Sequence, residues 1–508
     1  MPSQRRIFSV RPCKTILAAA LLFAAACPVA VADEAMSLRV FSQAVLRSDE
    51  ALALRAAEVT IAAAGVRSAR GAFEPVAFIR GNRDRYNVLN NAQERQQRAL
   101  NSTYNSRTTV TSTGIGARTE TGADVEVAYR IDRYRNNLQP LSVYGREYRS
   151  VLGLTASQPL LRGAGLAVNR APTTMAEYEE RIAREALNQA REQRLMDAVS
   201  AYVQRQEATE RVRVLEGSLS VAEALLAAAE RMTEGGMRPG SSVVEAVAFR
   251  DIRRVQLEQA RQDVLEARTA MQQLVLLDNP TTDGVPQPRA IAPVLNLAER
   301  PIAIPATSVM LTQALAQRAE LRIAALRVAR EGVRIMVAEN QALPQLNVTG
   351  RYDFDGLSDS SRSSVDRAIY GPNRAWGLGM ELRVPLQGNR TAQAELAAAR
   401  LRRDQADMAS NATRQRIVND VEATHDAALL VTRQLENQRQ LVRSQRELLR
   451  QAQLQAEGGR LSSIELLRRR LDLLLAEEQL ITRRATVERA THTIAFITGR
   501  LATELGVE

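Results

Sequence analysis

Between Asn389 and Glu457 lie 69 residues without a glycine or a proline. At 1.5 Å per residue, one helix over that run reaches roughly 100 Å. No compact globular core needs such a helix. A similar run, Thr173 to Glu234, has no proline and only Gly217. Ala428, Leu435, Val442 and Leu449 recur at heptad spacing in the later run. Ile464, Leu467, Leu471, Leu474 and Ile481 continue the pattern beyond a glycine break. This is the periodicity of coiled-coil packing. The long helices are therefore expected to lie side by side in an elongated assembly.

The long runs belong to a repeat. Ser42-Gln43-Ala44-Val45 answers Thr312-Gln313-Ala314-Leu315, and Glu50 answers Glu320. Pro159-Leu160 answers Pro385-Leu386, and Glu234-Gly235-Gly236 answers Glu457-Gly458-Gly459. Each copy reads helix, strands, very long helix, glycine break, second long helix. The first spans 33–279 and the second 308–508. Residues 280–307 form a connector that holds six of the 17 prolines, a density that marks irregular backbone.

The strands show period two. Trp376, Leu378, Met380, Leu382 and Val384 fall on one face, with Gly377, Gly379, Glu381 and Arg383 opposite. Leu346, Val348, Tyr352 and Phe354 alternate in the same way with Asn347, Thr349, Arg351 and Asp353. Such strands suit a soluble sheet over a core or a membrane β-barrel. Eight of the ten tyrosines and the single tryptophan lie in the strand regions, which favours interfacial girdles. Each copy offers one clear strand pair, and TSTGIGAR followed by ADVEVAYRIDRY reads as an additional hairpin in the first. So few strands do not comfortably close a barrel within one chain, and open sheet edges do not face lipid. Strands in a membrane must then be pooled from several chains. Pro159 and Pro385 each end a strand, because proline neither donates to a ladder nor sits inside a helix. Gly163, Gly165 and Gly388 then allow the turn into the long helix. These five residues mark the junction of sheet and helices.

The first 32 residues read as a secretory signal. Arg5, Arg6, Arg11 and Lys14 precede an apolar run from Ile16 to Cys27, and Ala30-Val31-Ala32 offers small residues for cleavage. A second reading makes Cys27 a lipoprotein acylation site. Removing the signal takes four basic residues and no acids, which lowers the net charge from +11 to +7. That excess is spread with Glu and Asp along helices, as on solvated faces and unlike a nucleic-acid-binding patch. The only cysteines, Cys13 and Cys27, lie within the signal, so the mature chain has no disulfide. No later segment has 18 consecutive apolar residues. His425 and His492 are the only histidines, and no metal-spaced cluster, nucleophile motif or phosphate loop occurs. The sequence predicts no enzyme, no metal and no cofactor.

In order and in twofold recurrence, these segments resemble the TolC-type outer-membrane efflux proteins. The resemblance covers about residues 38 to 500 and includes the short motifs QPLLRGAG and GGRLSSIELL. It implies a mixed α and β membrane protein, a homotrimer whose long antiparallel coiled-coil helices form an α-barrel in the periplasm. That barrel would be continuous with a transmembrane β-barrel in the cell outer membrane. It implies a passive exit duct for efflux or type I secretion that docks onto a periplasmic adaptor and an inner-membrane transporter. By resemblance, the turns near Gly235 and Gly458 form the periplasmic tip, with Gly459, Arg460, Leu461 and Ser462 in the adaptor-contact turn. Glu465 falls at an acidic constriction position, Arg468 one turn on, and Glu245 in the corresponding place of the first copy. Glu465 and Arg468 are spaced for an ion pair. Ser462-x-x-Glu465 and Ser242-x-x-Glu245 also fit plain capping boxes, and the two roles are compatible. A periplasmic coiled-coil scaffold or adaptor is the alternative; it shares the helices but needs no lipid-facing strands.

Overall fold

The computed structural model describes residues 34–97, 100–139, 143–235, 240–275, 281–282, 285–286, 291–294 and 303–507. The signal segment with Cys13 and Cys27, Gly236 and most of the connector lie outside the described residues.

After a short strand, Glu34–Met36, that pairs in parallel with Ile291–Pro293, the first repeat continues with two helices, α1 (Leu38–Ser48) and α2 (Glu50–Arg70). Asp49 separates them and accepts the Leu52 amide at 2.8 Å, an N-cap that restarts the helix after an extended residue. Four strands follow: β1 (Val76–Leu89), β2 (Thr103–Arg118), β3 (Asp124–Asn136) and β4 (Glu147–Pro159). The chain then enters α3 (Ala171–Glu234) and returns along α4 (Ser241–Gln273). The second repeat retraces this path. It runs α5 (Thr307–Gln317), α6 (Ala319–Gln341), β5 (Gln345–Ser358), a capping helix α7 (Ser361–Tyr370), β6 (Arg374–Arg383), α8 (Arg390–Glu457) and α9 (Ser463–Ile497). Helices α3 and α8 have 64 and 68 residues, as the runs free of proline and nearly free of glycine require.

All six strands form one antiparallel sheet in the order β6-β5-β4-β3-β2-β1. The additional hairpin of the first repeat is therefore β2–β3, inserted between the entry strand β1 and the exit strand β4. The two repeats meet where β4 pairs with β5, Leu154 opposite Tyr352. Strands β6 and β1 are the sheet's two edges.

The helices pack as two hairpins. Leu435, Val442, Ala476, Leu480 and Val487 fill the seam of α8 with α9. Leu215, Leu257 and Ala260 fill that of α3 with α4. Leu195, Val199 and Val203 of α3 meet Ile481 and Ala485 of α9, which joins the hairpins. The short helices brace this body in matching ways. Phe41 and Val45 of α1 pack on α3 with Tyr202 and Met271, and Met310 and Ala314 of α5 pack on Ile417 and Val421 of α8. Fully burying such side chains is worth about 1.5–3 kcal/mol each. Glu192 on α3 lies under the C-terminal helix Leu501–Leu505, where burial pushes its carboxyl up against the opposing pull of the Ala502 and Leu501 amides. No described helix is long and apolar enough to cross a membrane.

Candidate membrane wall, junction and helical tip

The sheet has two chemically different faces, and register assigns every residue to one of them. A single row runs Ala77, Ile115, Val127, Leu154, Tyr352, Trp376 across all six strands. The next row of that face runs Ile79, Thr113, Tyr129, Leu152, Phe354 and Arg374. Leu378, Met380 and Leu382 extend it on β6 opposite Gly350, Val348 and Leu346. These side chains are open to the surroundings: Ile79 is 82% exposed, Trp376 77% and Leu378 76%. A contiguous exposed apolar band of this extent marks a surface meant for lipid or for protein.

The opposite face is charged. Arg80 pairs with Glu126 at 3.9 Å, Arg130 with Asp132 at 2.7 Å and Arg351 with Asp353 at 2.9 Å. Arg149 donates through Nε to Asp355 at 3.0 Å across the repeat boundary. Arg130, Asp132, Glu147, Arg149 and Asp355 line a cavity of about 500 Å³. Of these pairs, Arg149–Asp355 joins neighbouring strands and helps hold β4 and β5 in register, whereas Arg130–Asp132 and Arg351–Asp353 lie along single strands. The faces separate the strand tyrosines too. Tyr129 and Tyr352 lie on the apolar side, whereas Tyr86, Tyr104 and Tyr134 share the charged side, where the Tyr104 and Tyr134 hydroxyls are hydrogen-bonded. The tyrosines of the strand regions are thus divided between the two faces, and Tyr129 on the apolar side also donates to Ser150 Oγ at 3.0 Å.

Five sequence-predicted residues stand at the two sheet–helix junctions. Pro159 is the last residue of β4, and Pro385 stands two residues after β6 ends. Gly163, Gly165 and Gly388 take φ of 84°, 99° and 73°, a region that costs a residue with Cβ roughly 1–2 kcal/mol. The first junction is tightly hydrogen-bonded. The Gly163 amide donates to Asn340 Oδ1 at 2.7 Å, the Gly165 amide to the Thr121 carbonyl at 3.2 Å, and Asn169 Nδ2 to the Gly163 carbonyl at 2.8 Å. Gly122, in the β2–β3 turn, reaches the same place with φ 95°. A Cβ there would lie 2.4 Å from the Gly163 carbonyl oxygen. Asn169 escaped sequence reading, and Gly122 is legible only as a turn residue of the additional hairpin; their place at the junction carries no signal until that hairpin folds back onto it.

At the far end of the helices, Gly459 lies at φ 67°. The Arg460 amide donates to the Gln455 carbonyl at 2.8 Å and the Gly459 amide to Ala456 at 3.1 Å, the paired bonds of a Schellman stop. Leu461 follows. Ser462 then caps α9, accepting the Glu465 amide at 3.2 Å. Glu465 pairs with Arg469 at 3.2 Å, one residue beyond the expected Arg468, which stands exposed. On a helix, i,i+4 and i,i+3 neighbours are both in reach of a carboxylate, and within this chain the i,i+4 pair is the one formed. The first tip corrects a second expectation. Helix α4 starts at Ser241 with Gly240 as its N-cap, so Ser242 is the second helical residue and is not the cap of a Ser242–Glu245 box. Glycine is itself an acceptable N-cap, and its use there moves the helix start one residue ahead of the motif. Glu245 is exposed on this first turn and a half. Among the described residues no group of acidic, histidine or cysteine side chains is arranged to hold a metal ion.

Residues 310–500, from α5 to the end of α9, match the family model described as outer membrane efflux protein. A search of curated proteins finds no match. Solved structures match nearly the whole chain. The outer-membrane channel OprN aligns with TM-score 0.61 at 16% identity, covering 91% of this chain and 89% of its own. The CmeC outer-membrane channel of Campylobacter jejuni gives 0.60 at 16%, covering 91% and 86%. The open state of the MtrE outer-membrane channel of Neisseria gonorrhoeae gives 0.59 at 16%, covering 91% and 89%.

Proposed function

We propose that the protein is the outer-membrane exit duct of an efflux or secretion system, a reading supported by the match of residues 310–500 to the outer membrane efflux protein family model and by the likeness of the whole fold to outer-membrane channels. Three copies pool their sheets into one transmembrane barrel, and their helical hairpins continue it as a tunnel through the periplasm.

The observation that carries this reading is the sheet. One face carries an apolar band that crosses all six strands near the helical junction, the other face is charged, and two edges are unpaired. In hydrocarbon each unpaired backbone group costs several kcal/mol, so such a sheet enters a bilayer only when its edges are closed by other copies. The apolar face then meets lipid, and the ion-paired face lines water. The helices support the same assembly. Val244 and Val255 on α4, and Leu401, Met408 and Leu430 on α8, are exposed apolar residues that adjoining copies would cover.

In this duct the chain performs no chemistry. Solutes are driven by an inner-membrane transporter, joined through a periplasmic adaptor that docks on the Gly459–Ser462 turn. Glu245, Glu465 and Arg468 ring the constriction, with Ser462 serving both cap and contact. An iris-like parting of the hairpins opens it. Cysteines placed on facing tips of neighbouring copies test the gate: oxidation should reduce single-channel conductance in planar bilayers, and reduction should restore it. Conductance indifferent to the tip lock would contradict the gate. Protein that forms no channels and leaves membranes in salt would favour a periplasmic scaffold.

A further inference from the structure

We infer that the β2–β3 hairpin is part of the membrane wall, so that each copy contributes six strands and the trimeric barrel has eighteen. This rests on the pooled-barrel reading and deepens it, because the sequence left the number of strands open.

Three observations carry the inference. The first is length. The six strands have 14, 16, 13, 13, 14 and 10 residues from β1 to β6. A tilted strand needs about 9–11 residues to span a bilayer. Each of the six, the inserted pair included, is long enough. The second is facial chemistry. A hairpin standing in water outside the wall has no reason to keep an apolar face in line with its neighbours. Strands β2 and β3 carry Ile115 and Ala117 beside Val125, Val127, Tyr129 and Ile131, in register with Leu152 and Leu154 of β4. Their other face carries Glu126, Arg130 and Asp132, in line with Arg149 and the rest of the charged side. Both faces of the sheet therefore run unbroken through the insertion.

The third is polarity at the seam. Strand β1 runs away from the helical junction and β6 runs back toward it. Six strands alternate three out and three back, so the β6 edge of one copy meets the β1 edge of the next antiparallel. The occupant of each edge is a second copy of this chain. Trp376, Leu378 and Met380 along one edge, and Ala77 and Ile79 along the other, continue the apolar band across the seam.

The rival arrangement pairs β1 directly with β4 and extrudes β2–β3, which leaves four strands per copy and a ring of twelve. Site-directed nitroxide scanning of residues 111–117 and 125–131, in trimers reconstituted into phosphatidylcholine vesicles, separates the two. Eighteen strands predict a two-residue alternation, with Ile115, Val127 and Tyr129 relaxed by oxygen in lipid and Ser112, Gly114 and Arg130 relaxed by a water-soluble nickel chelate. Uniform access of the nickel chelate to both faces overturns the inference. A double variant, Ile79→Cys with Leu154→Cys, gives a second readout. An intrachain disulfide in that variant means β1 neighbours β4 and also overturns it; no intrachain link, in trimers of native mass, supports it. Loss of the trimer in the unmutated protein would instead bring down the duct reading itself.

Discussion

The two junctions between sheet and helix solve one problem with different means. At the first, Pro159 ends β4 and Gly163 and Gly165 turn the chain, and the turn is clasped from outside. Asn340 of the second repeat, Thr121 of the inserted hairpin and Asn169 of the following helix all bond to it, and Arg170 is ion-paired with Glu120. At the second, Pro385, Gly388 and Asn389 make the turn nearly alone. The Gly388 amide reaches the Pro385 carbonyl at 3.4 Å, and Asn389 Nδ2 reaches Gln341 at 3.3 Å. The first junction stands in the middle of the sheet, and the second stands beside the β6 edge. Their difference teaches that local structure is completed inside the chain where strands are paired and is left open at the sheet's edge.

The largest effects should appear where the repeats are alike. Leu215 and Leu435 are 0% and 4% exposed in the two hairpin seams. Truncating either to alanine should cost about 2–5 kcal/mol, read as comparable losses of denaturation midpoint in detergent; a loss confined to one hairpin would break the repeat symmetry. Glycine substitutions should then separate the junctions. Gly122→Ala combines positive φ with a backbone contact that cannot yield, and strain alone is worth about 1–3 kcal/mol. Gly388→Ala meets nothing nearer than Gln393 at 4.0 Å and should cost only the positive-φ penalty of about 1–2 kcal/mol. Equal melting shifts would show that the clasp adds nothing.

Asn169→Ala removes two bonds to the first turn, at 2.8 and 2.9 Å, and should lower stability by about 1–3 kcal/mol. Asn389→Gly should go the other way, because Asn389 holds φ 48° and glycine relieves it. The smallest effect is a pH dependence. Burial raises the Glu192 pKa above its ordinary value of 4.5, so above that value the unfolded chain releases the proton first. Stability therefore falls as pH rises through that window, and Glu192→Gln should flatten the decline while raising the midpoint at neutral pH. A wild-type midpoint that rises over the same range would refute the assignment.

The helices and the repeat were legible because their signals are local. A run without Gly or Pro fixes a long helix, and period two fixes which face of β5 and β6 each residue takes; Trp376 does stand opposite Tyr352. What was not legible depends on partners distant in sequence. Strand β1 carries Arg83 and Arg85 on the same face as Ile79, so its alternation is broken and only its pairing with β2 reveals the role. The Arg149–Asp355 pair joins residues 206 apart. The Ser242 motif misled because Gly240, two residues earlier, competes for the cap. At the second tip Ser462 is the cap that its spacing predicts, and within the chain Glu465 meets Arg469, because spacing alone does not choose between Arg468 and Arg469.

The central claim is that these edges are closed by other copies in the outer membrane. The native mass of the protein, extracted by mild detergent from isolated outer membranes, tests it most directly. The account predicts three copies per particle, retained in membranes through a high-salt wash. A monomer released by salt would contradict it, because a sheet with two open edges has no place in lipid.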